Sequence, residues 1–317
     1  MANITVIGGI NIDIEGSPFK PLVKEDSNPG RIEMSFGGVG RNIVENVARA
    51  GGSAAMISVV GDDHMGECAV RHLEELGVDV RGIETIPGKN SSMYLSVLNH
   101  GHDMELAISD MDILDELNLE KILGHEEVLC DAEVVCLDAN LKEDLLDSAS
   151  RLLADWGKKL FFDPVSANKA GKAKNCIGRF YAIKPNRMEA EELSGISIET
   201  EADLSRCAQW FLDQGVKQVF ISMKKDGVYY CDGEKEGIIR PGDVNLVSAT
   251  GAGDSFSAMI LLGMAEKRDI EETARMGMAA SSIAMESRTA VNETLNREEI
   301  LRRMKQCIRI FWILNPK

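Results

Sequence analysis

None of the seven cysteines, Cys68, Cys130, Cys136, Cys176, Cys207, Cys231 and Cys307, forms a Cys-x-x-Cys pair. An odd count without paired spacing gives no disulfide framework and predicts reduced, mostly buried thiols in a cytoplasmic protein. Positive charge is also scarce: 35 Lys and Arg stand against 51 Asp and Glu, a formal net charge of -16. Such a chain repels phosphate backbones, so a general nucleic-acid binder is excluded. An anionic ligand would need a local positive site, such as a helix N-terminus. No apolar run approaches the roughly 18 residues of a membrane span, so no membrane partner is expected. The opening Ile4–Ile7 run lacks a basic flank and a cleavage site, which predicts no signal peptide. The tail Ile308–Leu314 is apolar but too short to span, and is expected to pack as a terminal segment. His100 and His102 form a His-x-His, yet no second Cys or His pair accompanies them; a hairpin tip is their expected home. No linker, low-complexity segment or fixed-period repeat is visible.

What is present is 44% hydrophobic residues over 317 positions, enough for a sizeable core. Short apolar runs at Ile4–Gly9, Ala54–Val60, Val134–Asp138, Lys159–Asp163, Tyr181–Lys184 and Gln218–Met223 read as strands covered on both faces. Helical patterns fall between them at Arg41–Ala50, Met65–Leu76, Lys142–Trp156, Arg187–Leu193 and Ala202–Gln214. Three further helices follow at Asp254–Glu266, Ile270–Glu286 and Arg297–Cys307. This alternation predicts an α/β fold with a mostly parallel sheet between helix layers. Two stretches break the rhythm, about 15–36 and 83–112. Their short alternating pieces predict a small β-sheet lid, with a hairpin turning at Asn99–His102.

The run Thr250-Gly-Ala-Gly-Asp254 joins an extended piece to an apolar helix. Small residues at a helix start let backbone N–H groups approach an anion, so Gly251, Ala252 and Gly253 can form a nest for a phosphoryl group. Asp254 would sit in the first helical turn, where the dipole favours its ionised form. A carboxylate beside a phosphate nest makes sense if it takes the proton of a substrate hydroxyl. A Gly turn with an acidic residue in the first turn is also an ordinary helix start, and physics alone leaves both readings open. Other phosphate motifs fail: there is no GxxxxGK[ST], and Gly8–Asp13 does not fit GxGxxG.

Gly251-Ala-Gly-Asp254 resembles the C-terminal signature of the ribokinase-like (PfkB) carbohydrate kinase family, and Gly37-Gly-Val-Gly-Arg-Asn42 resembles its N-terminal signature. The resemblance runs from about Ile4 to about Ala290. It implies a three-layer αβα sandwich with a doubly wound sheet, a β-sheet lid, and one kinase domain over 1–317. It implies ATP and Mg²⁺ as cofactors, a sugar or nucleoside as acceptor, and a homodimer formed through the lid. Residue by residue, it implies Asp254 as general base with Gly251, Ala252 and Gly253 as the anion hole. Asn11, Asp13, Gly38 and Asn42 match substrate-binding positions. Asn186 and Glu189 match an NxxE pair tied to Mg-ATP, with Glu189 reaching Mg²⁺ through water. Ser222, Gly227 and Thr250 match nucleotide-binding positions, and Asp163 a place near the triphosphate. Each also has a plain structural reading; Asn186 and Glu189 have the form of a helix capping box.

Further phrases, among them Asp26-Ser-Asn-Pro-Gly30, Asp163-Pro-Val-Ser-Ala167 and Lys184-Pro-Asn-Arg187, are similar to the pseudouridine-phosphorylating branch of that family. They imply transfer to the 5′-hydroxyl of pseudouridine. Ribose, inosine, cytidine or a deoxy-ketosugar acid are alternative acceptors, and a ligand sensor without catalysis is the alternative from another class. Two departures stand out. Ser248 replaces an acid that often helps to hold a monovalent cation, so dependence on such an ion stays open. Lys224 stands where the nucleotide turn often has Gly.

Overall fold

The short apolar runs become strands because alternate residues feed two separate cores. In the computed structural model, which describes residues 3–101 and 103–310, Ile7, Ile57, Leu137, Phe162 and Ile221 pack on one face of a sheet. Val6, Met56, Cys136, Phe161 and Phe220 pack on the other. All ten are fully buried. Each large apolar side chain so buried contributes roughly 1.5–3 kcal/mol relative to exposure.

The strands are β1 (Ile4–Ile7), β2 (Asn11–Pro18), β3 (Gly30–Gly37), β4 (Ala54–Gly61), β5 (Asp79–Ile86), β6 (Met93–Leu98) and β7 (Met104–Asp110). They continue with β8 (Val134–Asp138), β9 (Lys159–Asp163), β10 (Ala182–Ile183), β11 (Gln218–Ser222), β12 (Val228–Cys231), β13 (Glu236–Arg240) and β14 (Ile308–Ile310). Ten form one sheet in the order β14-β13-β12-β11-β10-β9-β8-β1-β4-β5. It is parallel from β11 to β5. It becomes antiparallel through β12, β13 and β14. Helices cover both faces, giving the expected three layers.

β1 lies between β4 and β8, so successive connections leave it toward opposite sides. In open α/β sheets, ligand crevices form outside the carboxyl ends of strands at such a reversal. Asn11, Asp138, Asp163 and Lys184 all follow or end strands at this edge.

β3-β2-β6-β7 form the small second sheet. Two boundaries differ from expectation. The lid begins at Asn11, because the turn Gly8–Ile10 sends the chain directly from β1 into β2. Residues 83–86 belong to the large sheet: Ile83 pairs with Ser58 and Ile86 with Gly61. Their alternation reflects an edge strand with one face covered, a pattern indistinguishable from that of a lid strand. The hairpin tip holds an exposed His100; His102 lies outside the described residues, as do 311–317 of the apolar tail. Among the described residues no cluster of His, Cys, Asp or Glu forms a metal cage. No helix there is long and apolar enough to cross a membrane. Five of the seven free thiols are buried.

Candidate active site

Helix Ala252–Ala265 is apolar on all sides and is sandwiched in the second core. Its N-terminus points at the strand-end crevice. Gly251 is the N-cap, with φ 75, and a Cβ there would lie 1.7 Å from the Ala290 carbonyl oxygen. Only glycine fits this turn. Gly253 is different: a Cβ there would have the Lys184 ammonium, at 3.4 Å, as its nearest neighbour, so an open cradle faces a cation. Of the three expected nest amides, Ala252 directs its N–H at the Ala249 carbonyl over a long 3.4 Å.

Asp254 is half-buried, and its Oδ2 accepts a 2.7 Å hydrogen bond from Asn42 Nδ2. The two signature segments, 212 residues apart, therefore meet at one carboxylate. Burial, with the charge of Asp163 adding to it, pushes the Asp254 carboxyl up to about 7; Asn42, Lys184 and Arg41 pull the other way. Asp163 accepts from Ser257 Oγ at 2.6 Å and from the Val165 amide at 2.9 Å. The buried Lys184 lies 3.7 Å from Asp163 Oδ2. Burial alone would discharge Lys184, but Asp163, Glu189 and Asp254 outweigh it and hold its proton more firmly than usual.

Asn11 and Asp13 lie together on β2: Asn11 Nδ2 donates to Asp13 Oδ1 at 2.5 Å. Burial raises the Asp13 carboxyl, against the pull of Asn11 and Arg41. Asn11 is 5% exposed, and its Oδ1 has no partner in the protein. A buried orphan acceptor is costly, so a ligand donor is its natural complement. Gly38 (φ 91) caps helix Val39–Arg49, and a Cβ there would lie 2.5 Å from the Gly9 carbonyl oxygen. The N-terminal signature is thus pressed onto the turn after β1.

Asn186 and Glu189 close on each other. The Asn186 amide and Nδ2 donate to the two Glu189 oxygens at 2.8 and 2.6 Å, and the Glu189 amide donates to Asn186 Oδ1 at 3.0 Å. The capping box expected on structural grounds is therefore formed. Ser222 lies beside it through a bridge to Asn186. Gly227 (φ 93) turns the chain into β12, and Lys224, exposed, holds φ 55, a conformation that favours glycine. Thr250 is exposed, and its amide donates to Ser248 Oγ at 3.1 Å.

The pfkB family carbohydrate kinase profile matches residues 1–296. The chain belongs to this family. It is a carbohydrate or nucleoside kinase, a phosphotransferase. The pseudouridine kinase of Escherichia coli K12 is 35% identical over 303 residues, covering 94% of this chain and 95% of the relative. A Clostridium perfringens crystal structure, provisionally assigned as a sugar kinase, superposes with a TM-score of 0.89 at 32% identity, covering 98% of both chains. The Arabidopsis thaliana ribokinase solved with ribose and ATP superposes with a TM-score of 0.82 over 96% of this chain and 99% of that one; at 20% identity it shows the shared fold.

The sequence signatures do not single out Lys184, Asp138 or Arg41. Asp138 ends β8, is fully buried, and accepts from the Gly9 and Asn140 amides at 3.3 and 2.8 Å. Burial lifts its carboxyl to about 6 against those two amides. The available signal was positional: a charged residue at the carboxyl end of an otherwise apolar strand.

Proposed function

We propose that this kinase transfers the γ-phosphoryl group of ATP to a primary hydroxyl of a nucleoside, with the 5′-hydroxyl of pseudouridine as the preferred acceptor. The observation that carries the chemistry is the Asp254 carboxylate at a helix N-terminus, bonded to Asn42, with its carboxyl lifted to about 7. A base poised near neutral pH matches both protonation state and driving force. The acceptor choice draws on the 35% identity to pseudouridine kinase over nearly the whole chain.

In this reading the acceptor hydroxyls meet Asn11, Asp13 and Asn42, and the Gly38 turn shapes the floor. The orphan Asn11 Oδ1 accepts a hydrogen bond from one of these hydroxyls. The primary hydroxyl donates to Asp254, which takes its proton as the oxygen attacks the γ-phosphorus in line. The bond from that phosphorus to the bridging oxygen breaks, and ADP leaves. Negative charge spreading over the equatorial oxygens meets the Gly251 and Gly253 amides and the Lys184 ammonium. The open cradle over Gly253 fits a phosphoryl group, and Ser222, Gly227 and Thr250 border the nucleotide.

Mg²⁺ usually keeps several waters and binds through one or two carboxylates plus substrate phosphates. The residues here fit that mode. Glu189, its oxygens engaged by Asn186, would reach the ion through water, with Asp163 as the other carboxylate facing Lys184. The ion would neutralise charge on the triphosphate oxygens. A cytoplasmic setting suits unpaired thiols and an ATP supply.

A homodimer through the lid is part of this proposal. One lid face is apolar, and Ile32, Met34, Leu106 and Ile108 on it are 49–74% exposed. Such a face on paired outer strands calls for cover by a second copy. Ile32→Asp should shift the sedimenting mass from dimer to monomer; a monomeric wild type would refute this part.

The acceptor is tested by ADP release with ATP, Mg²⁺ and pseudouridine, uridine, inosine, cytidine or ribose. The highest kcat/KM is expected for pseudouridine. A preference for uridine over pseudouridine would reject that assignment, and no acceptor-stimulated ADP release from any of them would argue for a sensor.

A further inference from the structure

We propose that Arg41 is a positioning residue for the transfer: its guanidinium ties the end of lid strand β3 to the Asn42 amide and fixes which end of that amide meets Asp254. This rests on the reading of Asp254 as the base.

Arg41 is 2% exposed. Its Nε donates to the Gly37 carbonyl at 3.1 Å, and one terminal nitrogen donates to the Phe36 carbonyl at 2.6 Å. These are the last two residues of β3. The same nitrogen donates to Asn42 Oδ1, and the other contacts Glu45. An arginine carries only donors, so the oxygen end of Asn42 must face it. The amide's NH₂ end is then left for Asp254 Oδ2, at 2.7 Å. Without Arg41 only the charge state of Asp254 decides that orientation. An inverted Asn42 would present oxygen to the carboxyl and favour its protonated form, which cannot accept a proton.

A purely structural role as partner of Glu45 explains less. Glu45 also accepts from Arg49 Nε at 2.7 Å, and His72 Nε2 lies 3.1 Å from its other oxygen. Burial opposes its ionisation, yet His72, Arg41 and Arg49 together hold it at about 2. Two cationic or donating partners therefore remain when Arg41 is removed. A buried arginine is also an expensive way to pack a helix, since its desolvation must be repaid by its hydrogen bonds. Three of its four contacts lead to the lid strand and to Asn42.

The charged and titratable groups facing Asp254 are Asp163 at the end of β9, Lys184 beyond β10, Arg41 itself, and the Cys136 thiol on β8, which burial keeps neutral. Loss of Arg41 leaves the others in place. Both consequences, a freed Asn42 and a lost positive charge, raise the pH needed to ionise Asp254.

The test is the pH profile of kcat/KM with pseudouridine and ATP for the full chain, with folding checked by thermal unfolding. In Arg41→Gln the acid limb is expected to move up by about one pH unit, with about a tenfold loss on the limb and a smaller loss on the alkaline plateau. Asn42→Ala should move the limb in the same direction, and the double variant should fall well short of the sum of the two, adding only the share owed to the lost charge. An unmoved limb in Arg41→Gln overturns the proposal. So does a second full displacement in the double variant, because Arg41 would then act without Asn42. Should Arg41→Gln fail to fold, Arg41→Lys carries the same test: it keeps the charge but loses the fork that holds two carbonyls and an amide together. Asp254→Asn is measured alongside. Wild-type turnover there would mean that the base assignment is wrong; an inactive Asp254→Asn with an unmoved Arg41→Gln limb would defeat the Arg41 proposal alone.

Discussion

Replacing Asp254 by Asn should stabilise the protein at alkaline pH and leave it unchanged in acid. The carboxyl rises from 3.8 to about 7 in the fold, first through burial and then through the facing charge of Asp163. Folding therefore disfavours the ionised form. Below about pH 4 the group is protonated in both folded and unfolded chains, and the site carries no penalty. Between about 4 and 7 the unfolded chain ionises first, and stability falls as pH rises. Above 7 the full cost is present. A rise of that size corresponds to about 4 kcal/mol. Asp254 keeps some contact with solvent, so about 2 kcal/mol is the better expectation. Melting entropy of about 2.1 cal/mol/K per residue turns this into a Tm gain of about 3 °C for a chain of this length. Asn carries no charge at any pH and keeps an acceptor for Asn42. The assay is the difference in Tm between variant and wild type at pH 4.5 and pH 8.5 in one salt concentration. It should be near zero at the lower pH and about 3 °C in favour of Asn at the higher. A difference independent of pH, or a less stable Asn variant at pH 8.5, would mean that folding does not penalise the Asp254 charge.

Lys184→Met leaves Asp163, Glu189 and Asp254 without their shared buried cation; kcat should fall at least about a hundredfold, and denaturant unfolding should show a loss of roughly 3–5 kcal/mol. Unchanged values in both would contradict the site. Two glycine variants separate folding from chemistry. Gly251→Ala places a Cβ 1.7 Å from the Ala290 carbonyl oxygen at φ 75 and should cost more than about 3 kcal/mol in unfolding experiments. Gly253→Ala meets only the Lys184 ammonium at 3.4 Å and should fold normally while ADP release drops; normal activity there would place the phosphoryl group elsewhere.

The central strands were legible because a strand covered on both faces has no polar position to blur its ends. Val134–Asp138 and Lys159–Asp163 match the expected bounds. The antiparallel hairpin of β12 and β13 was missed. Its Val228–Cys231 run follows a 3₁₀ turn and is only four residues long, too short to show a period. β5 resembled the lid because both are half-covered. Within the site, the residues carried by the two signatures were legible, and Asp254 meets Asn42 across 212 residues. Lys184, Asp138 and Arg41 were not singled out. The roles open to them come from what surrounds them at strand ends and at a helix start, and no local spacing encodes that. Asn186 and Glu189 show the reverse: the local pattern admits two readings, and the capping box is present whichever chemistry the pair also serves.

The most direct measurement is single-turnover phosphorylation of pseudouridine by wild type and Asp254→Asn, with ATP affinity determined on the same samples. General-base catalysis contributes about 10²–10⁴-fold, so the variant should bind ATP normally and transfer at least about a hundredfold more slowly. Transfer at a near-wild-type rate would show that another group takes the proton.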